Sequence, residues 1–200
     1  DGLSAENETD ANKTILSIDF SSGLESYLNK KPEDFNFTTD HRQVLPEYIK
    51  AGGFLFAKKA PERLRGAWHS DMLDHTNHSQ DGYVYLIDGG ISGSQIFNTT
   101  INHLCTGKRY EFSAYITNVV KNTHNAPKPN IRFEVRTALH KNHLIAQKDT
   151  SEISESPKIE WKRYGLSFIT YTESVVLLRI LKTGDGRGND FAIDDIQLRP

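Results

Sequence analysis

The sequence predicts an all-β fold, a single domain built as a two-sheet antiparallel β-sandwich of the jelly-roll type. Three observations carry that expectation. Short segments alternate apolar and polar residues with a period of two, the mark of a strand buried on one face. Clusters of Gly, Pro, Asn and Asp separate these segments at regular spacing. No stretch carries a capped, amphipathic helical pattern of about ten residues or more. With 200 residues, 36% of them hydrophobic, the chain has enough apolar side chains for one sizeable core.

Residues 1–13 are polar and aperiodic and read as a flexible lead-in, so the folded domain is expected over 14–200. "TILSIDF" begins an extended, β-branched stretch. The following segment, interrupted by Pro32 and Pro46, reads as loops with short strands. "GGFLFAKK" and "DGYVYLIDGG" are compact apolar runs opened by glycine, and "PERLRGAW" has room for one turn of helix. In "YEFSAYITNV", Tyr110, Phe112, Ala114 and Ile116 share one face, with Glu111, Ser113 and Thr117 on the other. "NIRFEVRTA" repeats the pattern, Ile131, Phe133 and Val135 opposing Arg132, Glu134 and Arg136. "EWKRYGLSFIT", "SVVLLRILK" and "NDFAIDDIQL" complete the set, and "VVLLRIL", apolar on both faces, reads as a central strand.

Composition removes several function classes. A formal charge of −2 gives no basic footprint for nucleic acid. The longest apolar runs are far too short to insert in a membrane as a helix. A lone cysteine, Cys105, rules out an intrachain disulfide and a zinc–thiolate cluster; it sits at the apolar end of "HLC" and is expected to be buried. Five N-x-[ST] sequons begin at Asn7, Asn12, Asn36, Asn77 and Asn98, more than chance supplies, and favour a secreted, glycosylated protein at the cell surface or outside the cell. The sequence lacks an initiator Met and a signal-like segment, as expected of a mature or excised form. No G-x-S-x-G, P-loop or HExxH signature occurs, and Glu152, Glu155 and Glu160 lie in a polar stretch that reads as solvated, so no catalytic residue and no enzyme activity are expected.

Acidic residues pose the sharpest question. The last strand carries Asp194 and Asp195 between Ile193 and Ile196, and an unpaired buried carboxylate costs several kcal/mol. On strict alternation the two point to opposite faces; Asp194 is expected to be the buried one. In a jelly roll the first and last strands are neighbours, which brings "SIDF" beside "AIDDI". A structural Ca²⁺ could then bind Asp19, Asp194 or Asp195 and oxygens of the loop "DHTNHSQDG". The competing reading is a latch in which one aspartate accepts backbone N–H bonds. The histidines of the longer stretch "AWHSDMLDHTNHSQDGYVYL" are His69, His75 and His78; a zinc reading would use His75 and His78 with an aspartate, but the spacing fixes no zinc site and they read as surface residues. For sugar recognition the available rings are Trp68, Tyr83, Tyr85, Tyr115 and Trp161, of which Trp68, Tyr115 and Trp161 are the candidates, the two tryptophans having core packing as their alternative.

A set of collinear motifs also carries a family resemblance: Trp68, "DHT" at 74–76, "DGYVYL" at 81–86, "LCTGKRYEFSAYITN" at 104–118, "NIRFEV" at 130–135, Trp161, Phe168 and "GNDFAIDDI" at 188–196. The "DHT" and "AIDDI" motifs resemble MAM domains. The stretch from Leu104 to Asn118 is similar to galactose-binding-like jelly rolls, the carbohydrate-binding modules of secreted adhesins. The resemblance implies a non-catalytic binding or adhesion module recognising glycan or extracellular protein, with a structural cation. Carried over by position, the cation's candidate ligands are Asp19, Asp74 and Asp194, with Ser21 and Asp81 as weaker donors. The paired cysteines of MAM domains are missing here. The alternative expectation is a self-assembling structural subunit of an extracellular filament, coat or appendage.

Overall fold

The structure is a computed structural model and describes residues 13–122, 125–139, 142–184 and 189–200. Most of the lead-in, and with it the sequons at Asn7 and Asn12, lies outside the described residues. Among the described residues, twelve strands form two sheets. They are β1 Leu16–Ile18, β2 Tyr27–Leu28, β3 Arg42–Gln43, β4 Gly53–Ala57, β5 Val84–Ile87, β6 Gln95–Ile101, β7 Arg109–Asn118, β8 Asn130–Thr137, β9 Leu144–Glu152, β10 Lys162–Ile169, β11 Val176–Lys182 and β12 Phe191–Arg199. The larger sheet runs β10-β7-β12-β5-β4-β2, with β1 on β12 and the short β3 parallel to β4; the smaller runs β6-β11-β8-β9. Every other pairing is antiparallel, giving the expected two-sheet β-sandwich. Among the described residues, helix is confined to single 3₁₀ turns, one of them at Glu62–Leu64 inside "PERLRGAW".

The alternation read from the sequence sets the core. Tyr110, Phe112, Ala114 and Ile116 of β7 meet Ile131, Phe133 and Val135 of β8 and Val176, Leu178 and Ile180 of β11 between the sheets. Aromatic rings fill one end: Phe20 stacks on Phe56 at 5.3 Å, and Phe37 lies 5.0 Å from Phe97. The chain of rings continues through Phe112 to Phe133 at 5.3 Å. Tyr85, wholly buried among them, donates its hydroxyl to the Ile96 carbonyl at 2.6 Å, and burial pushes its phenol upward. Strand β11 is central in its sheet as expected, but only one of its faces is buried; Leu177, Arg179 and Leu181 are half-exposed on the other.

A second apolar cluster decides where a site can form. The residues between β4 and β5 leave the sheet and fold back over its outer face. Trp68 and Met72 from this excursion pack on Leu55, Ala57, Val84, Leu86 and Ala192. Backbone bonds hold the cover down: His69 N–H donates to Val119 O at 2.9 Å and Lys121 N–H to Ala67 O at 2.8 Å. The cover spans the β4, β5 and β12 part of the face and leaves the β7–β10 end open. Trp68 is 2% exposed, and its indole N–H donates to Asp190 at 3.1 Å. It is therefore a core residue, as the packing alternative had it, and not a ligand platform. Cys105, expected to be buried, is exposed, because Leu104 takes the inward position and Cys105 begins the turn before β7.

Replacing Phe56 by Ala removes a ring shared by five aromatic neighbours. It should cost about 3–5 kcal/mol of unfolding free energy, as for other buried Phe truncations, measurable by urea denaturation.

Candidate functional site

Strand β12 changes neighbours along its length. Phe191–Ile193 pair with β5 and Ile196–Leu198 pair with β1, while β7 lies along the other side. The changeover falls at Asp194 and Asp195, where the register with β7 also slips by a bulge and Asp195 adopts φ 47°. A bulge inserts one residue and cancels the alternation. Both carboxylates therefore meet the same loop, against the expectation that they point to opposite faces. Asp194 is fully buried, as expected, but on the outer face beneath the excursion and not between the sheets.

Asp194 Oδ2 accepts the His75 N–H at 2.8 Å, the Thr76 N–H at 3.3 Å and the Thr76 hydroxyl at 3.3 Å; Oδ1 accepts the Asp195 N–H at 2.9 Å. Asp195 accepts the Thr76 hydroxyl at 2.9 Å and bonds His75 Nδ1 at 2.5 Å. The His75 ring then lies flat on Tyr115, centroids 3.4 Å apart and planes 15° from parallel. This is the latch among the two readings of the acidic strand, made with the "DHT" loop. Asp74, also buried, closes that loop on itself by accepting the Ser79 N–H at 2.7 Å and the Asn77 N–H at 3.2 Å. A Cβ on residue 82 would fall 2.1 Å from Asp74 Cγ, so only glycine fits there.

The residues named for calcium do not fit one shared ion. Asp19 is exposed and caps its own turn through the Ser21 N–H at 3.0 Å. Ser21 is exposed, its carbonyl taken by the Tyr83 N–H at 3.0 Å, and Asp81 faces Lys58 at 3.7 Å. Asp74 and Asp194 spend their oxygens as described. Among the described residues no group of three His, Cys, Asp or Glu side chains is placed to hold a metal ion. Of the sequons, Asn36 and Asn77 stand exposed, whereas Asn98 is half-buried within β6.

The structure does bring Tyr115, Trp161 and Asp194 to one place. Asp194 pairs in register with Tyr115, and Tyr115 with Arg163. Trp161 is half-exposed beside the same loop, its indole N–H donating to Leu73 O at 2.8 Å. From here the uncovered face runs along β7 and β10 past Ser113 and Gly165 to Glu111 and Ser167. A recess of about 340 Å³ opens beside it at the β10 edge, where β10 approaches β9 of the small sheet: Glu111, Ser113 and Arg163 line it from the outer-face side, and Phe133, Tyr164, Leu166 and Lys148 from the side between the sheets. Gly165 shapes it: a Cβ would stand 2.3 Å from Phe112 O and 2.8 Å from Ser113 Cα, so the strands touch closely where the side chain is missing. Glu111 is paired with both Arg163 and Arg199, the latter at 2.8 Å. These recess residues were not singled out from sequence. Their only trace there was the polar half of the alternation in "YEFSA" and "KRYGLS", whose cross-strand pairing no local pattern reveals.

A second recess of about 410 Å³ lies at another edge, lined by His41, Gly52, Gly90, Ile91 and Ser94 among others. His41 is buried and bonded to Ser94 at 3.1 Å. It offers no exposed aromatic ring.

No protein-family model matches the chain, and no curated protein matches it. Solved structures with the same fold do. The CBM22-1 xylan-binding domain of Paenibacillus barcinonensis Xyn10C is 13% identical with a TM-score of 0.54, over 94% of this chain and 95% of that one. The Stig cyclase Fisc of Fischerella sp. TAU, in complex with an indole compound, is 15% identical with a TM-score of 0.58, over 94% and 98%. An apo cyclase from Fischerella sp. is 13% identical with a TM-score of 0.60, over 96% and 97%. The jelly-roll fold is thus shared with carbohydrate-binding modules and with enzymes.

Burial, reinforced by the charge of Asp195, pushes Asp194 up to about 8. The folded state then keeps a proton that the unfolded chain releases near the ordinary carboxyl value, so stability from this group is full in acid and falls as pH rises toward about 8. Urea titrations should show stability declining from pH 5 to pH 8, with a smaller decline in Asp194→Asn; an unchanged pH slope in that variant counts against it.

Proposed function

We propose that this chain is a non-catalytic glycan-binding module and that the uncovered β7–β10 face receives the sugar chain. The observation that carries the reading is the recess at Gly165, where apolar walls that include Tyr164 lie beside paired guanidinium and carboxylate groups. Sugar rings present C–H faces to apolar and aromatic surfaces and hydroxyls to Arg, Glu and Ser, so the recess has both kinds of partner. Trp161, half-exposed along the same face, extends the platform toward the "DHT" loop. The fold is consistent with this use, since it also serves a xylan-binding domain. The exposed sequons at Asn36 and Asn77 are compatible with a secreted setting.

The cyclases of the same fold raise acid–base chemistry as a rival, with Asp194 as the buried acid. Its two oxygens already receive four hydrogen bonds, and Asp194 does not line the recess. Its role is to hold a loop. Fold alone does not assign a reaction, and the side chains here favour binding.

On a glycan array and then by calorimetry, Arg163→Ala and Trp161→Ala should each weaken binding about ten-fold, equivalent to about 1.4 kcal/mol. Arg179→Ala, on the outer face of the small sheet, should leave it unchanged. Full binding by the Arg163→Ala, Trp161→Ala double variant would exclude this face.

A further inference from the structure

The charges around the Gly165 recess are unbalanced. Asp149, on its β9 side, is held by Arg132 in a two-point ion pair at 2.7 and 3.0 Å, and that guanidinium keeps its carboxyl below the usual range. This pair is self-contained. On the β10 side a single carboxylate, Glu111, serves two guanidiniums, Arg163 and Arg199. One positive charge is left over. Lys148 adds another, since it lines the recess, is exposed and forms no ion pair with a described carboxylate. The lining itself holds two cations, Arg163 and Lys148, and two carboxylates, Glu111 and Asp149; each carboxylate is also paired with an arginine from outside the lining, Arg199 and Arg132, so the ion-paired network with Lys148 carries four cations to two carboxylates on a chain whose formal charge is −2. Glu160 stands beside Tyr164 but outside the recess lining.

We infer that the recess selects acidic sugars, those bearing a carboxylate or a sulfate ester, over neutral ones. The inference rests on the glycan-binding reading and names the ligand class of the same site. A guanidinium presents two parallel N–H donors that match the two oxygens of a carboxylate or sulfate. Arg163 is already partly desolvated, burial being the main cause that lowers its affinity for its proton, followed by the charge of Arg199. An incoming anion replaces lost solvation there and relieves the repulsion between the two arginines. Ser113, 3.4 Å from the Arg163 guanidinium, and Ser167 supply hydroxyls for the rest of the ring. Lys148 reaches in from the opposite sheet as a mobile point charge.

Calorimetry with oligogalacturonate, a sulfated oligosaccharide and neutral xylohexaose tests this. At least one acidic probe should bind ten-fold or more tighter than xylohexaose, and raising salt from about 0.05 to about 0.5 M should erase most of that difference. Comparing the two acidic probes separates carboxylate from sulfate recognition. Lys148→Glu, at an exposed position, should lower the ratio of acidic to neutral affinity ten-fold or more. Glu111→Gln should strengthen acidic binding at least two-fold by releasing both arginines. Neutral binding as tight as acidic, with no effect of Lys148→Glu, would overturn the inference while the glycan-binding reading stands. Failure of all three probes to bind would overturn both.

Discussion

The carboxylate of Asp194, buried on the outer face of the large sheet, accepts four hydrogen bonds, three of them from His75 and Thr76. The boundary between the covered and the open part of the sheet depends on this set. It ties a long excursion between β4 and β5 to the last strand and ends the cover over the sheet at a defined line. Beyond that line His75 stacks on Tyr115, and the open face along β7 and β10 begins. Removing the carboxylate would strand three backbone N–H groups, those of His75, Thr76 and Asp195, each costing about 1–3 kcal/mol if left unpaired. It would also release the His75 ring from its stack on Tyr115.

The large sheet therefore has two different faces. Its inner face joins the aromatic core between the sheets; its outer face is split between an apolar cover and a polar stripe. The stripe contributes little to stability, since ion pairs as exposed as those of Glu111 are weak. Such side chains are free to be chosen for a ligand.

Much of this was legible in the sequence where side chains alternate strongly. The inward and outward faces of β7 and β8, the pairing of "SIDF" with the last strand and the burial of Asp194 all follow from local pattern and jelly-roll topology. Strands β6 and β9 were not read as strands: "QIFNTTI" and "LIAQKDTSE" are too polar, because β9 is an edge strand exposed along most of its length. The acidic pair misled for a different reason. A bulge at Asp195 broke the alternation, and the partners that satisfy both carboxylates lie about 120 residues earlier in the chain. A local pattern can show that buried charges need partners; it cannot distinguish a cation from a loop of N–H donors. The recess was silent for the same reason, since Arg163, Glu111 and Lys148 meet only across strands and sheets.

Amide hydrogen exchange, followed residue by residue, tests the latch most directly. If the Asp194 carboxylate holds the "DHT" loop, the His75 N–H, at 2.8 Å from Oδ2, will exchange as slowly as the amides of β12 and will become fast in Asp194→Ala while the β7–β8 core stays protected. Exchange of His75 at the rate of an exposed loop in the unaltered protein would contradict the account.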